Sequence, residues 1–142
     1  MKIRIIIIFL LFLIYASCNN TKIIINRAIE ELVSEFTSDH EEASNFYKGK
    51  FIQISGVVIY ARQESVGLGF NSITHDNYFS YLKDNITINC EFDHMVFTHR
   101  FKTGENIIIL GEYQDYTNRE IFNVIRLKNC ILISRETGEN NQ

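Results

Sequence analysis

Residues 51–60 read FIQISGVVIY, a β-branched and almost wholly apolar run with Gly56 at its centre. β-Branched side chains suit a pleated strand, where they pack well against their neighbours. A glycine inside such a strand marks a bulge or a sharp bend. A strand that is apolar on both sides of a bend can serve two sheets, which points to a small barrel or sandwich.

The flanking segments fill in the architecture. Ahead of this strand, residues 22–47 have helical spacing: Ile25, Ile29, Leu32, Val33 and Phe36 share one face, and Glu30, Glu31 and Glu35 lie off it. TSD (37–39) interrupts the pattern. Ser38 as N-cap, with Glu41 completing a capping box, predicts a second short helix carrying Ala43, Phe46 and Tyr47. Behind the strand, residues 61–76 read as a polar, glycine-containing link. NYFSYLK (77–83), the turn DN and ITINCEF (86–92) read as a hairpin. In its second arm Ile86, Ile88, Cys90 and Phe92 share one face, opposite Thr87, Asn89 and Glu91. Residues 93–105 connect onward to a strand at 106–116, a turn at TNRE and a last strand at 121–133, bulged near Asn129. This order predicts a mainly β (α+β) fold: a five-stranded Greek-key barrel of the OB type, preceded by one or two N-terminal helices. On pattern alone, a β-sandwich or another α+β fold also fits.

The first twenty residues carry a different message. Lys2 and Arg4 precede an unbroken apolar run, Ile5 to Tyr15, and Ala16 and Ser17 lead to Cys18. A basic start, a short apolar centre and a small-residue exit are the parts of a secretory signal peptide. The run of 11 residues is far short of the roughly 20 that span a bilayer as a helix. A core helix would show a polar face, and this run shows none. Ala16-Ser17-Cys18 resembles a bacterial lipobox, with Tyr15 where leucine is usual. The resemblance implies a mature chain that starts at Cys18 and carries diacylglycerol and an amide-linked fatty chain such as palmitate. Two or more chains hold a protein stably on a membrane. A secreted protein with an incidental cysteine is the alternative. The domain organisation expected is a signal peptide at 1–17, a tether at 18–22, the barrel domain with its helical segment at 23–134, and a polar tail at 135–142.

Loss of Lys2 and Arg4 leaves 12 basic residues against 17 acidic ones, a net charge of about −5 on a mature chain of about 125 residues. That length suits one domain with its own core. Proteins that bind nucleic acid draw most of their affinity from a basic footprint, which this composition lacks. Beyond the leader, no second apolar span is long enough to cross a membrane.

EASNFYKGKFIQISGVV (42–58) resembles the opening of the tRNA_anti-like family of OB-fold domains, frequent among lipoproteins of Bacteroidetes-type bacteria. Ala43, Tyr47, Gly49, Lys50, Ile52, Ile54, Gly56 and Val58 meet the family pattern. TGENIIILGEY (103–113), with Gly104 and Gly111 around a strand, and LKNCILI (127–133), with Leu127 and Cys130, extend the resemblance over residues 25–133. Tyr113 stands where many relatives carry a cysteine. The resemblance implies the OB fold; the family's name does not bring tRNA binding with it.

Barrels of this type bind ligands on the face of their second and third strands and in the adjoining loops. The candidate ligand face is therefore Arg62, Tyr78, Tyr81, Asn89, Tyr116 and Arg119. Tyr78, Phe79 and Tyr81 supply aromatics for stacking, but Lys83 is the one nearby cation and Glu91 opposes it. His75, His94 and His99 show no zinc-ligand spacing, so neither a metal nor another cofactor is expected. No nucleophile elbow, phosphate loop or acid–base pair is present, so no catalytic residue is assigned and the chain is not read as an enzyme. Cys90 and Cys130 lie on strands that neighbour each other in an OB barrel and are a candidate disulfide; two buried free thiols are the alternative.

The expected function is a lipid-anchored, non-catalytic binding module of the cell envelope. It would face the periplasm from the outer membrane and take a protein, peptide or glycan partner. Single-stranded nucleic-acid binding is the alternative, disfavoured by charge and address.

Overall fold

The structure, a computed structural model, describes residues 22–70, 86–93, 100–118 and 122–136. In chain order its elements are β1 (Ile24–Ala28), α1 (Ile29–Ser38), α2 (His40–Tyr47), β2 (Phe51–Ala61), β3 (Ser65–Gly69), β4 (Ile86–Glu91), β5 (Asn106–Asn118) and β6 (Asn123–Glu136). The strands lie in the order β1-β2-β3-β4-β6-β5, and β2 also pairs with β5. That last pairing closes five strands into a barrel. Within it β4 and β6 run parallel and the other pairs antiparallel, as the OB fold requires.

Gly56 does what its place in the sequence suggests. Residues 51–55 of β2 pair with β1, and residues 57–61 pair with β3, so the partner changes at Gly56. The other edge of β2 pairs with β5 along residues 51–57. A Cβ at Gly56 would lie 3.2 Å from both Ile29 Cδ1 and Leu68 Cβ. The bare backbone lets α1 and β3 close over the kink.

Three local expectations are corrected. Residues 24–28 form strand β1, not the first turn of a helix. Ile25 and Ile29 fit helical spacing, but parallel pairing with β2 satisfies the backbone of 24–28, and a parallel crossover needs a long connection, here α1 and α2. Residues 65–69, read as part of a link, form β3. β3 and β6 pair with the two sides of β4; residues 77–83, expected as its hairpin partner, lie outside the described residues. Finally, Asp39 caps α2 in place of Ser38. Its Oδ1 accepts from the amides of Glu41 (3.1 Å) and Glu42 (2.9 Å), and its charge opposes the helix dipole.

The helices bury Ile29, Leu32, Phe36, Ala43 and Tyr47 against the barrel. The Phe36 ring packs 5.8 Å from that of Tyr113 and 5.2 Å from that of Tyr116, both on β5. Tyr47 donates its hydroxyl to Glu35 Oε2, and Arg27 Nε donates to Glu35 Oε1 (3.1 Å) and Tyr47 Oη (3.0 Å). One network thus joins β1, α1 and α2. Burial, reinforced by the Glu35 carboxylate, pushes the Tyr47 phenol up to about 12. Tyr113 completes the attachment by donating to Ser44 Oγ at 2.9 Å.

Candidate ligand-binding face

One row of cross-strand partners runs around all five barrel strands. Tyr60 on β2 faces Gly67 on β3, Gly67 faces Asn89 on β4, Asn89 faces Arg126 on β6, and Arg126 faces Asp115 on β5. Asn89 and Arg126 point outward by simple alternation, since their neighbours Ile88, Cys90, Ile125 and Leu127 are buried. Tyr60 and Asp115 point outward because of bulges. The register slips between Val58 and Tyr60, where Val58 and Ile59 are both buried, and again between Tyr113 and Asp115. Each slip inserts a residue, reversing the alternation and re-aiming the side chain that follows.

The glycine in the row has a defined purpose. A Cβ at Gly67 would fall 2.1 Å from Tyr60 Cε1, so the Tyr60 ring occupies the space a side chain would need. The ring lies along the barrel wall, and its hydroxyl donates to Asn89 Oδ1 at 2.7 Å. Asn89 Nδ2 donates to Glu91 Oε1 at 3.2 Å. The Arg62 guanidinium covers the Tyr60 ring at 5.1 Å from its centroid. Arg126 donates twice to Asp115, Nε to Oδ1 at 2.6 Å and Nη2 to Oδ2 at 2.8 Å, and Nη2 also donates to Thr117 Oγ1 at 3.2 Å. Asp115, helped by Glu91, raises the Arg126 pKa above its ordinary value against the opposing effect of burial.

These groups meet in a shallow depression of about 350 Å³, lined by Tyr60, Arg62, Asn89, Glu91, Phe122 and Arg126 among others. Two guanidinium groups, Arg62 and Arg126, stand beside two carboxylates, Glu91 and Asp115. The face therefore offers directed hydrogen bonds and a stacked aromatic with little net charge. It is suited to a polar ligand that is not itself strongly charged.

Of the six residues expected on the ligand face, Arg62 and Asn89 come together here. Tyr116 does not. The slip that turns Asp115 outward turns Tyr116 inward, opposite Ile125, where it packs under Phe36 and His40. Tyr78, Tyr81 and Arg119 lie outside the described residues, as do Cys18, the leader and the three histidines His75, His94 and His99. Tyr60, Phe122 and Arg126 are members that sequence reasoning missed; Glu91, which reads as outward on the same strand as Asn89, is not among the six expected on the ligand face. The available signal was Gly67, a glycine in a strand-length run that implies close approach by another group.

A second depression, of about 460 Å³, lies between α1 and α2 and is lined by Arg27, Glu35, Asp39 and Phe46 among others. Its main polar groups are already engaged: Arg27 with Glu35, and Asp39 with the α2 amides. Among the described residues, no group of three or more His, Cys, Asp and Glu side chains is placed to hold a metal ion. Also among the described residues, no helix is long and apolar enough to cross a membrane. Cys90 and Cys130 are free thiols, both buried.

A family model described as tRNA_anti-like matches residues 1–131. Among solved structures, the chain is similar to a lipoprotein from Klebsiella pneumoniae described as a candidate nucleic acid-binding protein. The match has 16% sequence identity and a TM-score of 0.57, and it covers 78% of this chain and 92% of that one. At that identity the likeness is one of fold. Comparison with curated proteins gives no match.

Proposed function

The chain belongs to the tRNA_anti-like family, and from that membership we propose that it is a non-catalytic OB-fold binding module, lipid-anchored in the cell envelope, that takes a peptide or glycan on the row Tyr60–Gly67–Asn89–Arg126–Asp115. The observation that carries the ligand class is the pairing of Arg126 with Asp115. A face built for polyphosphate leaves its guanidinium groups for the ligand, because phosphate neutralisation supplies the affinity. Here a carboxylate already holds one of the two guanidinium groups, and Glu91 stands beside the other residues of the row. Amides and hydroxyls are the partners that such a mixed surface serves best.

The address rests on the leader, on the lipobox-like Ala16-Ser17-Cys18 and on the Klebsiella neighbour, which is described as a lipoprotein. The outer membrane, facing the periplasm, is its proposed place. Replacing Cys18 by Ser tests it: the protein should leave the membrane fraction, and retention there would contradict the anchor.

Single-stranded nucleic acid is the second reading. It is supported by the guanidinium of Arg62 stacked over Tyr60, since arginine and aromatic rings together bind unpaired bases. The neighbour's description points the same way. Titration of the mature domain with a chito-oligosaccharide, an uncharged peptide and a single-stranded oligonucleotide over a range of salt separates the two readings. The first predicts binding of an uncharged probe that changes little with salt. The second predicts oligonucleotide affinity that falls steeply, by about 0.7 in the logarithmic slope for each phosphate neutralised.

A further inference from the structure

Cys90 and Cys130 both lie inside the barrel, on the adjacent strands β4 and β6 directly behind the row just described, and two local backbone features bring Cys130 there. Cys90 follows Asn89 on β4, points inward and is fully buried. Its cross-strand partner on β6 is Leu127, which is also buried. Cys130 lies three residues beyond Leu127, an odd interval that on an unbroken strand would turn it to solvent. It is buried instead. Glu112 faces Lys128 and Leu110 faces Ile131, so β6 holds one extra residue there. Within that bulge Asn129 has φ +52°, a left-handed conformation that asparagine tolerates better than most residues. Room for the sulfur comes from Gly111: a Cβ there would lie 2.6 Å from Cys130 Sγ. A left-handed asparagine and a bare glycine thus combine to turn Cys130 inward on the strand that pairs with that of Cys90. The nearby Cys130, together with burial, pushes the Cys90 thiol well above its ordinary value.

We infer that Cys90 and Cys130 are a cross-linking site, joined as an intrachain disulfide when the chain folds in the presence of a disulfide-bearing oxidant. The balance is that of thiol–disulfide exchange. One cysteine thiolate attacks a sulfur of the oxidant, breaking its S–S bond and expelling one thiolate. The second cysteine thiolate attacks the protein sulfur of the mixed disulfide, forming the Cys90–Cys130 bond and expelling the other thiolate. The protein loses two electrons and two protons, and the oxidant leaves as two thiols. Because the closed barrel holds Cys90 protonated and shielded, the exchange belongs to folding, before β4 and β6 close over the sulfurs. The bond ties the parallel pair β4–β6, the strands that carry Asn89 and Arg126. Parallel pairing is the weaker ladder, so a covalent tie has most to add there. Persistence of the bond in the cell rests on the envelope address proposed above, since an oxidising compartment maintains disulfides.

The mature chain carrying Cys18→Ser, refolded from denaturant with oxidised glutathione, is alkylated under denaturing conditions without reductant and mapped by mass spectrometry. The expected product is a single peptide pair joining Cys90 to Cys130, in a protein lighter by two hydrogen atoms. Two alkylated thiols, glutathione adducts at both positions or disulfide-linked dimers would overturn the inference. Reduction should lower Tm by on the order of 10 °C in this protein and leave Cys130→Ala unaffected; an equal response in both would also overturn it. The same map on protein from native membranes separates the two proposals. A bond that forms on refolding but is missing from native material would contradict the oxidising address and leave the cross-linking site standing.

Discussion

Tyr60 reaches across the whole width of β3 to donate its hydroxyl to Asn89 Oδ1 at 2.7 Å, and it can do so only because the residue it crosses is Gly67. The nearest atoms to an added Cβ belong to the Tyr60 ring, which can swing away into solvent. Gly67→Ala should therefore cost only about 1 kcal/mol of stability. It should nevertheless break the Tyr60–Asn89 hydrogen bond and disperse the ligand face. Tyrosine ring signals in NMR, compared with urea midpoints, measure the two effects separately. A variant with the Tyr60 ring unmoved would sink this reading of the face.

Asp115 sets the charge of the face. The Asp115–Arg126 pair is about 40% exposed on each side, and exposed pairs contribute little, so Asp115→Asn should change stability by less than about 1 kcal/mol. It should also release the Arg126 guanidinium, raising affinity for a single-stranded oligonucleotide and steepening its salt dependence. An unchanged salt slope would show that Asp115 does not hold the face near neutrality.

Two glycines predict a ranking. Ala at Gly56 would place its Cβ 3.2 Å from Leu68 Cβ, and at Gly111 2.9 Å from Leu127 Cβ and 2.6 Å from Cys130 Sγ. Overpacking of this kind costs about 1–3 kcal/mol. Gly111→Ala should be the more damaging, since both of its nearest contacts are closer than the 3.2 Å contacts at Gly56. Urea denaturation at constant m-value gives the order, and a larger loss at Gly56 would contradict the packing described for the bulge.

The alternation of apolar and polar residues made much of the barrel legible. Gly56 marked the kink in β2, and Asn129 marked the bulge in β6, from sequence alone. Where alternation is interrupted, legibility ends. Tyr60 and Asp115 point outward, and Tyr116 inward, because register slips reverse the pattern, and a slip depends on the partner strand. β1 escaped because Ile25 and Ile29 satisfy helical spacing as well as they do a strand and the helix behind it. β3 escaped because SVGLG is short and rich in glycine, which weakens any strand signal; its Gly67 is used by Tyr60 from another strand. The candidate site was thus half readable: Arg62, Asn89 and the outward side of Glu91 from their position, the rest only from the fold.

Tyr47 predicts an alkaline weakness. Its folded pKa is raised to about 12 from an ordinary value of 10. Between those values the unfolded chain has lost the phenolic proton and the native chain keeps it. The stabilisation is complete below pH 10 and is lost as pH rises towards 12, amounting to roughly 1–2 kcal/mol. The wild type should lose stability across that window more steeply than Tyr47→Phe, and phenolate absorbance should show one late-titrating tyrosine missing from the variant. Parallel pH profiles for the two proteins would contradict the Arg27–Glu35–Tyr47 network.

The most direct measurement is a map of backbone amide shifts on the mature domain, titrated with the uncharged peptide and the chito-oligosaccharide. Binding on the proposed face predicts saturable shifts centred on Tyr60, Gly67, Asn89 and Arg126, reduced by Asn89→Ala and insensitive to moderate salt. Shifts centred instead on the cleft between α1 and α2, around Arg27 and Phe46, would contradict the assignment of the barrel row as the site.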